Sequence, residues 1–159
     1  MHGLALAGGL ELALALACDI IIAAEDAQLG DEHIRRNLLP GGGGSQRLPR
    51  RIGLAQGLYH LLTGRRMTGC DAQRLGLAAL AVPAADLDAT TRTLSQQLSN
   101  TAGEALGSMK RMVRHGLEMP LRDGLQLERW LHQRYRAASN ASDRSIAAFA
   151  GGKDPTAKS

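Results

Sequence analysis

Three regimes of hydrophobic patterning follow one another along the chain. Residues 4–17 are Leu and Ala around a single acid, Glu11, with the pair Gly8-Gly9 just ahead of it. A glycine pair before such a run predicts a tight turn opening a short helix. After Cys18-Asp19 the run Ile20-Ile21-Ile22-Ala23-Ala24 is continuous, short and β-branched, which predicts a strand buried on both faces. Glu25-Asp26 makes the next turn, and residues 28–39 read as a short extended piece and a loop ending at Pro40. Glycines at 41, 42, 43 and 44 then strip the backbone of bulk, as suits a turn or a place where a ligand or another backbone comes close.

Beyond the glycines the period becomes helical. Pro49 can serve as the first residue of a helix over 50–62, and Gly64 is placed to stop it. Residues 68–75 predict another short helix closed by Gly76, and residues 77–82 a last apolar strand ended by Pro83. From Asp86 onwards the pattern predicts helices over 87–98, 103–117, 121–138 and 142–150, separated by Asn100-Thr101, Met119-Pro120 and Ser139-Asn140. Leu121, Leu125, Glu128, Leu131 and Tyr135 lie near one helical face and predict a packing stripe. Residues 151–159 are polar and read as a frayed tail. The expected organisation is therefore an α/β part over 1–84, an all-helical region over 85–150 and a tail over 151–159.

Composition adds limits to this outline. At 159 residues the chain is long enough for one substantial core. Aromatics make up 3%, so Leu, Ala and Ile must fill it. A net charge of +4 and a pI near 9.6 raise nucleic acid as a partner, and residues 33–70 hold seven arginines and no acid. With one Trp, two Tyr and one Phe, however, there is no stacking platform for bases. That window reads as a solvated or subunit-facing surface, the alternative being a site for the phosphates of a ligand.

Several chemistries are excluded by spacing. No Gly-Lys-Ser/Thr follows the glycine run, which rules out a phosphate loop, and Ser45 lacks the glycine two residues on that a serine-hydrolase elbow needs. Cys18 and Cys70 show no metal or redox spacing and read as buried, reduced thiols of a cytosolic protein. His2, His60, His115 and His132 have no ligand-like spacing either, so no metal is expected. The apolar start imitates a signal peptide, but no Lys or Arg precedes Arg35 and Glu11 interrupts the apolar run. A membrane span fails on length and on the same acid. The expectation is a soluble, cytoplasmic chain, with secretion as the lesser alternative.

The chemistry centres on the first turn of the first helix. Unpaired N–H groups there can stabilise a developing oxyanion, and Glu11 stands one turn in. Three ordered blocks then carry a family likeness: HGLALAGGLELALALACDIIIAA from His2; Leu29-Gly30-Asp31-Glu32-His33 followed by LPGGGGSQRL from Leu39; and Leu62-Thr63-Gly64 followed by Asp71-Ala72 and Leu75-Gly76-Leu77. Together they resemble the crotonase superfamily of acyl-CoA enzymes, the enoyl-CoA hydratases and isomerases, over roughly residues 2–149.

The resemblance implies a partial crotonase-like β/α spiral core followed by helices that build a trimer or dimer of trimers. It implies an acyl-CoA substrate, with no cofactor beyond the coenzyme A that the substrate carries. Gly8 matches one of the two backbone donors that hold the thioester oxygen, and Glu11 matches the first of two glutamates that position water and shuttle its proton. The second glutamate's position falls on His33, with Glu32 a one-residue slip away. Histidine can exchange protons near neutral pH, so Glu11 and His33 can still form an acid/base pair. Hydration is favoured over isomerisation because isomerases lean on the second acid. The alternatives are an isomerase or hydrolase acting on another acyl-CoA, and a non-catalytic remnant that only assembles with full-length subunits.

Two departures from the family pattern bear on that reading. Six residues, 12–17, separate Glu11 from Cys18-Asp19 where four are usual, and two added residues turn a helix by ~200°. Met1 stands where a small β-branched residue is usual, so the expectation is the later part of a longer gene product. The second oxyanion donor would then lie upstream, and the isolated chain would not be a competent enzyme.

Overall fold

The structure is a computed structural model that describes residues 4–5 and 10–138. They belong to two compact units, Met1–Leu94 and Ser95–Ser159. The first is a small β/α body: β1 (Leu4–Ala5), α1 (Leu10–Ala17), β2 (Ile22–Ala24), β3 (Gln28–Leu29), a 3₁₀ turn (His33–Arg36), α2 (Gly44–Ile52), α3 (Leu54–Thr63), β4 (Met67–Thr68), α4 (Gly69–Arg74), β5 (Leu80–Val82) and the start of α5 (Leu87–Ser99). The second contains the hairpin of α6 (Gly103–Gly116) and α7 (Leu121–Ala138). A partial β/α core followed by helices is the fold class that the sequence predicts.

Two short sheets frame the first unit. In one, β3 pairs parallel with β1, with Leu4 opposite Gln28 and Ala5 opposite Leu29, and antiparallel with β4. In the other, β2 and β5 run parallel, with Ile22, Ala23 and Ala24 opposite Leu80, Ala81 and Val82. Most of the buried apolar side chains form one cluster, and Ala24, Ala27 and Leu87 form a smaller one. To the larger, α1 contributes Leu12, Ala15 and Leu16, an i, i+3, i+4 stripe, and meets Leu29, Leu48, Ile52, Met67 and Leu77 there. Full burial of Leu29, Leu48 and Leu77 contributes about 1.5–3 kcal/mol per side chain before chain entropy is counted.

β2 is shorter than the isoleucine run that predicts it. Its partner β5 covers only three positions, so the ladder stops at Ile22 and leaves Ile20 exposed, while Ile21 stays buried and accepts the Ala79 N–H at 2.8 Å. The alanines at its other end serve close packing. A methyl group built on Gly69 would lie 2.8 Å from the Ala24 carbonyl carbon and closer still to its oxygen, so α4 begins hard against the end of β2. Thr68 caps α4 by accepting the Asp71 N–H at 3.1 Å, and Asp71 returns the bond to the Thr68 N–H at 3.4 Å.

The helix expected over 50–62 is instead two helices. α2 starts at Gly44, so Pro49 is its sixth residue rather than the first of a helix. α2 and α3 are separated by Gly53, whose φ of 84° and ψ of 157° suit glycine alone. Gly64 does end α3, in a left-handed conformation. Both cysteines are exposed, against the expectation of burial, because Cys18 follows the last turn of α1 and Cys70 stands on the outer side of α4, between buried Gly69 and Ala72.

In the second unit, α6 and α7 approach closely where Gly124 meets Gly116; a methyl on Gly124 would come within 3.3 Å of the Gly116 carbonyl oxygen. Leu131 and Ser108 are buried. The stripe Leu121, Leu125, Glu128 and Tyr135 is not packed away: with Met109, Val113 and Leu117 it lines an open groove of about 810 Å³. Leu121 remains 78% exposed and Leu117 83%, so the groove has no cover within the hairpin. The helix expected over 142–150 lies outside the described residues. Among those described, no helix is long and apolar enough to cross a membrane.

Candidate functional site

The parallel pairing of β1 with β3 puts the C-terminal ends of both strands at one edge of their sheet. From β1 the chain continues to α1, where Glu11 is the second residue. From β3 it continues through Gly30, Asp31 and Glu32 into the 3₁₀ turn that His33 begins. Glu11 and His33 therefore stand on segments leaving the same edge, six and four residues beyond their strands. Gly8 lies outside the described residues.

Consecutive side chains at 32 and 33 do different things. Glu32 is buried and is gripped by the Arg66 fork, with Nε 2.7 Å from Oε1 and Nη2 3.0 Å from Oε2. Arg35 adds a longer contact at 3.6 Å. The hydrogen bonds from Arg66 hold the Glu32 carboxyl below its ordinary 4.5, against the upward push of burial, and the charges of Arg35 and Arg36 help. Glu32 thus ties the 3₁₀ turn to the chain entering β4.

His33 turns instead to Asp31. Its Nδ1 is 2.6 Å from Asp31 Oδ1, and its backbone N–H donates to the same oxygen at 3.2 Å. The His33 side chain is 20% exposed and that of Asp31 9%, so the pair sits at the margin of the interior. Asp31 Oδ2 faces the start of α2, where a methyl on Gly44 would come within 2.7 Å of it. The last glycine of the run thus makes room for a carboxylate. Sequence reasoning passed over Asp31; an acid two residues before a histidine, in a loop, was the available signal.

α1 is anchored at its far end. Arg51 of α2 donates to the carbonyl oxygens of Leu16, at 3.2 Å, and Cys18. Cations satisfy the last carbonyls of a helix and oppose its negative end. Eight residues stay helical, and the Cys18 N–H closes onto Leu14 and Ala15, so the two added residues lie within a regular helix.

Most of the remaining arginines between 33 and 70 also bind the chain itself. Arg47 donates to the Gly42 carbonyl, Arg50 to Gln46, and Arg65 to the Tyr59 hydroxyl. Buried His60 meets the Arg65 carbonyl through Nδ1 at 2.9 Å. Among the described residues no group of three or more His, Cys, Asp or Glu side chains could hold a metal ion.

With this geometry in view, the likeness to known proteins is specific. The enoyl-CoA hydratase/isomerase family model matches residues 1–159. The Mycobacterium bovis protein named probable enoyl-CoA hydratase echA8 is 41% identical over 147 residues, 92% of this chain and 56% of that protein. Enoyl-CoA hydratase subunit I from Geobacillus kaustophilus HTA426 superposes with a TM-score of 0.88 at 35% identity, covering 98% of this chain and 60% of that one. A Thermobifida fusca YX protein solved in complex with acetoacetyl-CoA superposes with a TM-score of 0.80 at 29% identity, covering 86% of this chain and 53% of its own. The chain belongs to the enoyl-CoA hydratase/isomerase family of the crotonase superfamily. It spans about half the length of the relatives it matches.

Proposed function

We propose that the chain serves an acyl-CoA enzyme of the enoyl-CoA hydratase type, adding water to a 2-enoyl-CoA or reversing that step. The observation that carries this reading is the parallel pairing of β1 with β3, which supports a meeting of Glu11 and His33 beyond one sheet edge. Ligands of open α/β sheets gather outside the carboxyl ends of the strands. The acetoacetyl-CoA bound by the Thermobifida fusca relative supports a coenzyme A thioester as the ligand. No cofactor beyond that coenzyme A is invoked.

Hydration joins the water oxygen to C3, moves the C2=C3 electron pair through C2 onto the thioester oxygen, and leaves a proton on C2. In this reading the Gly8 backbone N–H donates to the thioester oxygen as it gains charge. Glu11 holds the water. His33 accepts one of its protons at Nε2 as the C3–O bond forms, and the imidazolium returns that proton to C2. Both side chains end the cycle as they began, and water has been added across the double bond. Isomerisation or hydrolysis of another acyl-CoA by the same groups is the alternative.

A second reading rests on the open groove between α6 and α7: the chain associates with its own copies, as trimers or dimers of trimers, or assembles with longer family members in the cytoplasm without catalysing the reaction itself. One assay separates the two. The purified chain, alone and co-expressed with an intact family member, is given crotonyl-CoA and loss of the enoyl absorbance is followed. Turnover that falls about 100-fold or more with Glu11→Gln on this chain supports the enzyme reading. Turnover indifferent to Glu11→Gln in both forms leaves assembly alone.

A further inference from the structure

We infer that Asp31 is a positioning residue for His33: it holds the imidazole with its proton on Nδ1, so that Nε2 is the basic nitrogen. The inference rests on the reading of His33 as a proton carrier in hydration. Its structural ground is independent of that reading, because one carboxylate oxygen of Asp31 takes both the ring Nδ1, at 2.6 Å, and the backbone N–H of His33, at 3.2 Å. A carboxylate can only accept at such a contact, so Nδ1 is the donor and the tautomer follows. The doubled grip fixes both the ring and the turn that carries it.

The surroundings fit this role. Asp31 is buried two residues ahead of the 3₁₀ turn, and its other oxygen faces the first turn of α2, the end of that helix whose dipole favours negative charge. Only a residue without a side chain at 44 leaves the carboxylate in place. The neighbouring acid cannot substitute for it, since both oxygens of Glu32 are held by Arg66. When His33 takes a proton from water, the carboxylate beside Nδ1 steadies the imidazolium that forms. A histidine in a position usual for a carboxylate thus comes with its own acid two residues earlier.

Two readouts test the inference, and one of them needs no activity. Nitrogen-15 NMR of the ring nitrogens of His33, assigned by its loss in His33→Gln, should show the Nδ1-protonated form in the full chain. Asp31→Asn and Gly44→Ala should both move the ring towards the other tautomer, the second by displacing the carboxylate. An unchanged ring signal in Asp31→Asn overturns the inference whatever the turnover.

The second readout uses the form that hydrates crotonyl-CoA. Asp31→Asn should lower kcat on the order of 10-fold or more with little change in KM. Added to His33→Gln it should lower kcat further by less than about 2-fold, because the residues act as a unit. Equal losses in both backgrounds overturn positioning and leave a structural role. Failure of the hydratase reading appears separately, as turnover that does not respond to Glu11→Gln.

Discussion

Arg66 holds both carboxylate oxygens of Glu32, at 2.7 and 3.0 Å, across a gap of 34 residues. Because the pair lowers the carboxyl from 4.5 in the folded chain, the folded state binds fewer protons there than the unfolded state. The stabilisation is therefore complete above the ordinary glutamate value and is lost as pH falls through the folded value. Acid unfolding followed by circular dichroism should show stability declining from about pH 4.5 downwards. Arg66→Met should lower stability at neutral pH and flatten that decline; an unaltered acid profile would mean that the pair does not link folding to pH.

The same pairing separates Glu32 from the chemistry. Glu32→Gln should reduce thermal stability while leaving kcat near its starting value. His33→Ala should reduce kcat about 100-fold or more, as for the loss of a general acid/base. Comparing the two in the crotonyl-CoA assay identifies which neighbour carries the proton. A silent His33→Ala beside a crippling Glu32→Gln would reverse the assignment.

What was legible in the sequence and what was not divide along physical lines. α1 and α4 declare themselves through signals within a few residues: Gly8-Gly9 ahead of an apolar run, and Thr68 with Asp71 three residues on. The break at Gly53 does not, because a glycine within a helical pattern can be tolerated or can end it, and nothing local marks this one for a positive φ. Strand lengths depend on the partner, so the isoleucine run overstates β2. Glu11 was readable as a candidate from the glycine turn ahead of it and from family spacing, and His33 from family spacing alone. The fork from Arg66 to Glu32 was not, since nothing local joins residues 34 apart, whereas Asp31 was within reach as a carboxylate two residues from a histidine.

Packing of α4 against β2 depends on the bare backbone at Gly69. A methyl there meets the Ala24 carbonyl, a main-chain group that accepts the Ala27 N–H at 3.0 Å and cannot swing away as a side-chain end can. Gly69→Ala should destabilise the fold by about 1–3 kcal/mol or more, the usual range for overpacking. Gly103→Ala, with open space around it, is the control and should be nearly neutral. Urea titration of both variants checks the contrast, and equal midpoints would contradict the close contact.

Arg51 should matter to α1 out of proportion to its distance from Glu11. Replacing it by Met removes the donor shared by the Leu16 and Cys18 carbonyls and keeps most of the packing stem. A loss of about 1 kcal/mol in stability is expected from those hydrogen bonds. Amide exchange should quicken in the last turn of α1 before it does in α3 or α4. If exchange there is unchanged, the tie between α2 and α1 is not what holds this helix.

The groove between α6 and α7 bears on assembly. Leu117, Leu121, Met109 and Val113 each expose half or more of their surface, on facing sides of one cleft. Contiguous apolar surface of that kind is unusual on a lone chain in water and marks an interface. On the proposal that the chain associates with its own copies, a second copy would cover this groove. Light scattering at micromolar concentration should therefore give a mass above that of one chain. Leu121→Glu combined with Val113→Glu should shift it towards a single chain, because two carboxylates would have to be desolvated in the contact. These helix positions tolerate glutamate in isolation, so the far-ultraviolet circular dichroism should change little. A well-folded monomer before any substitution would mean that a second copy does not cover this groove, and an assembly indifferent to both substitutions would place the contact between copies elsewhere on the chain.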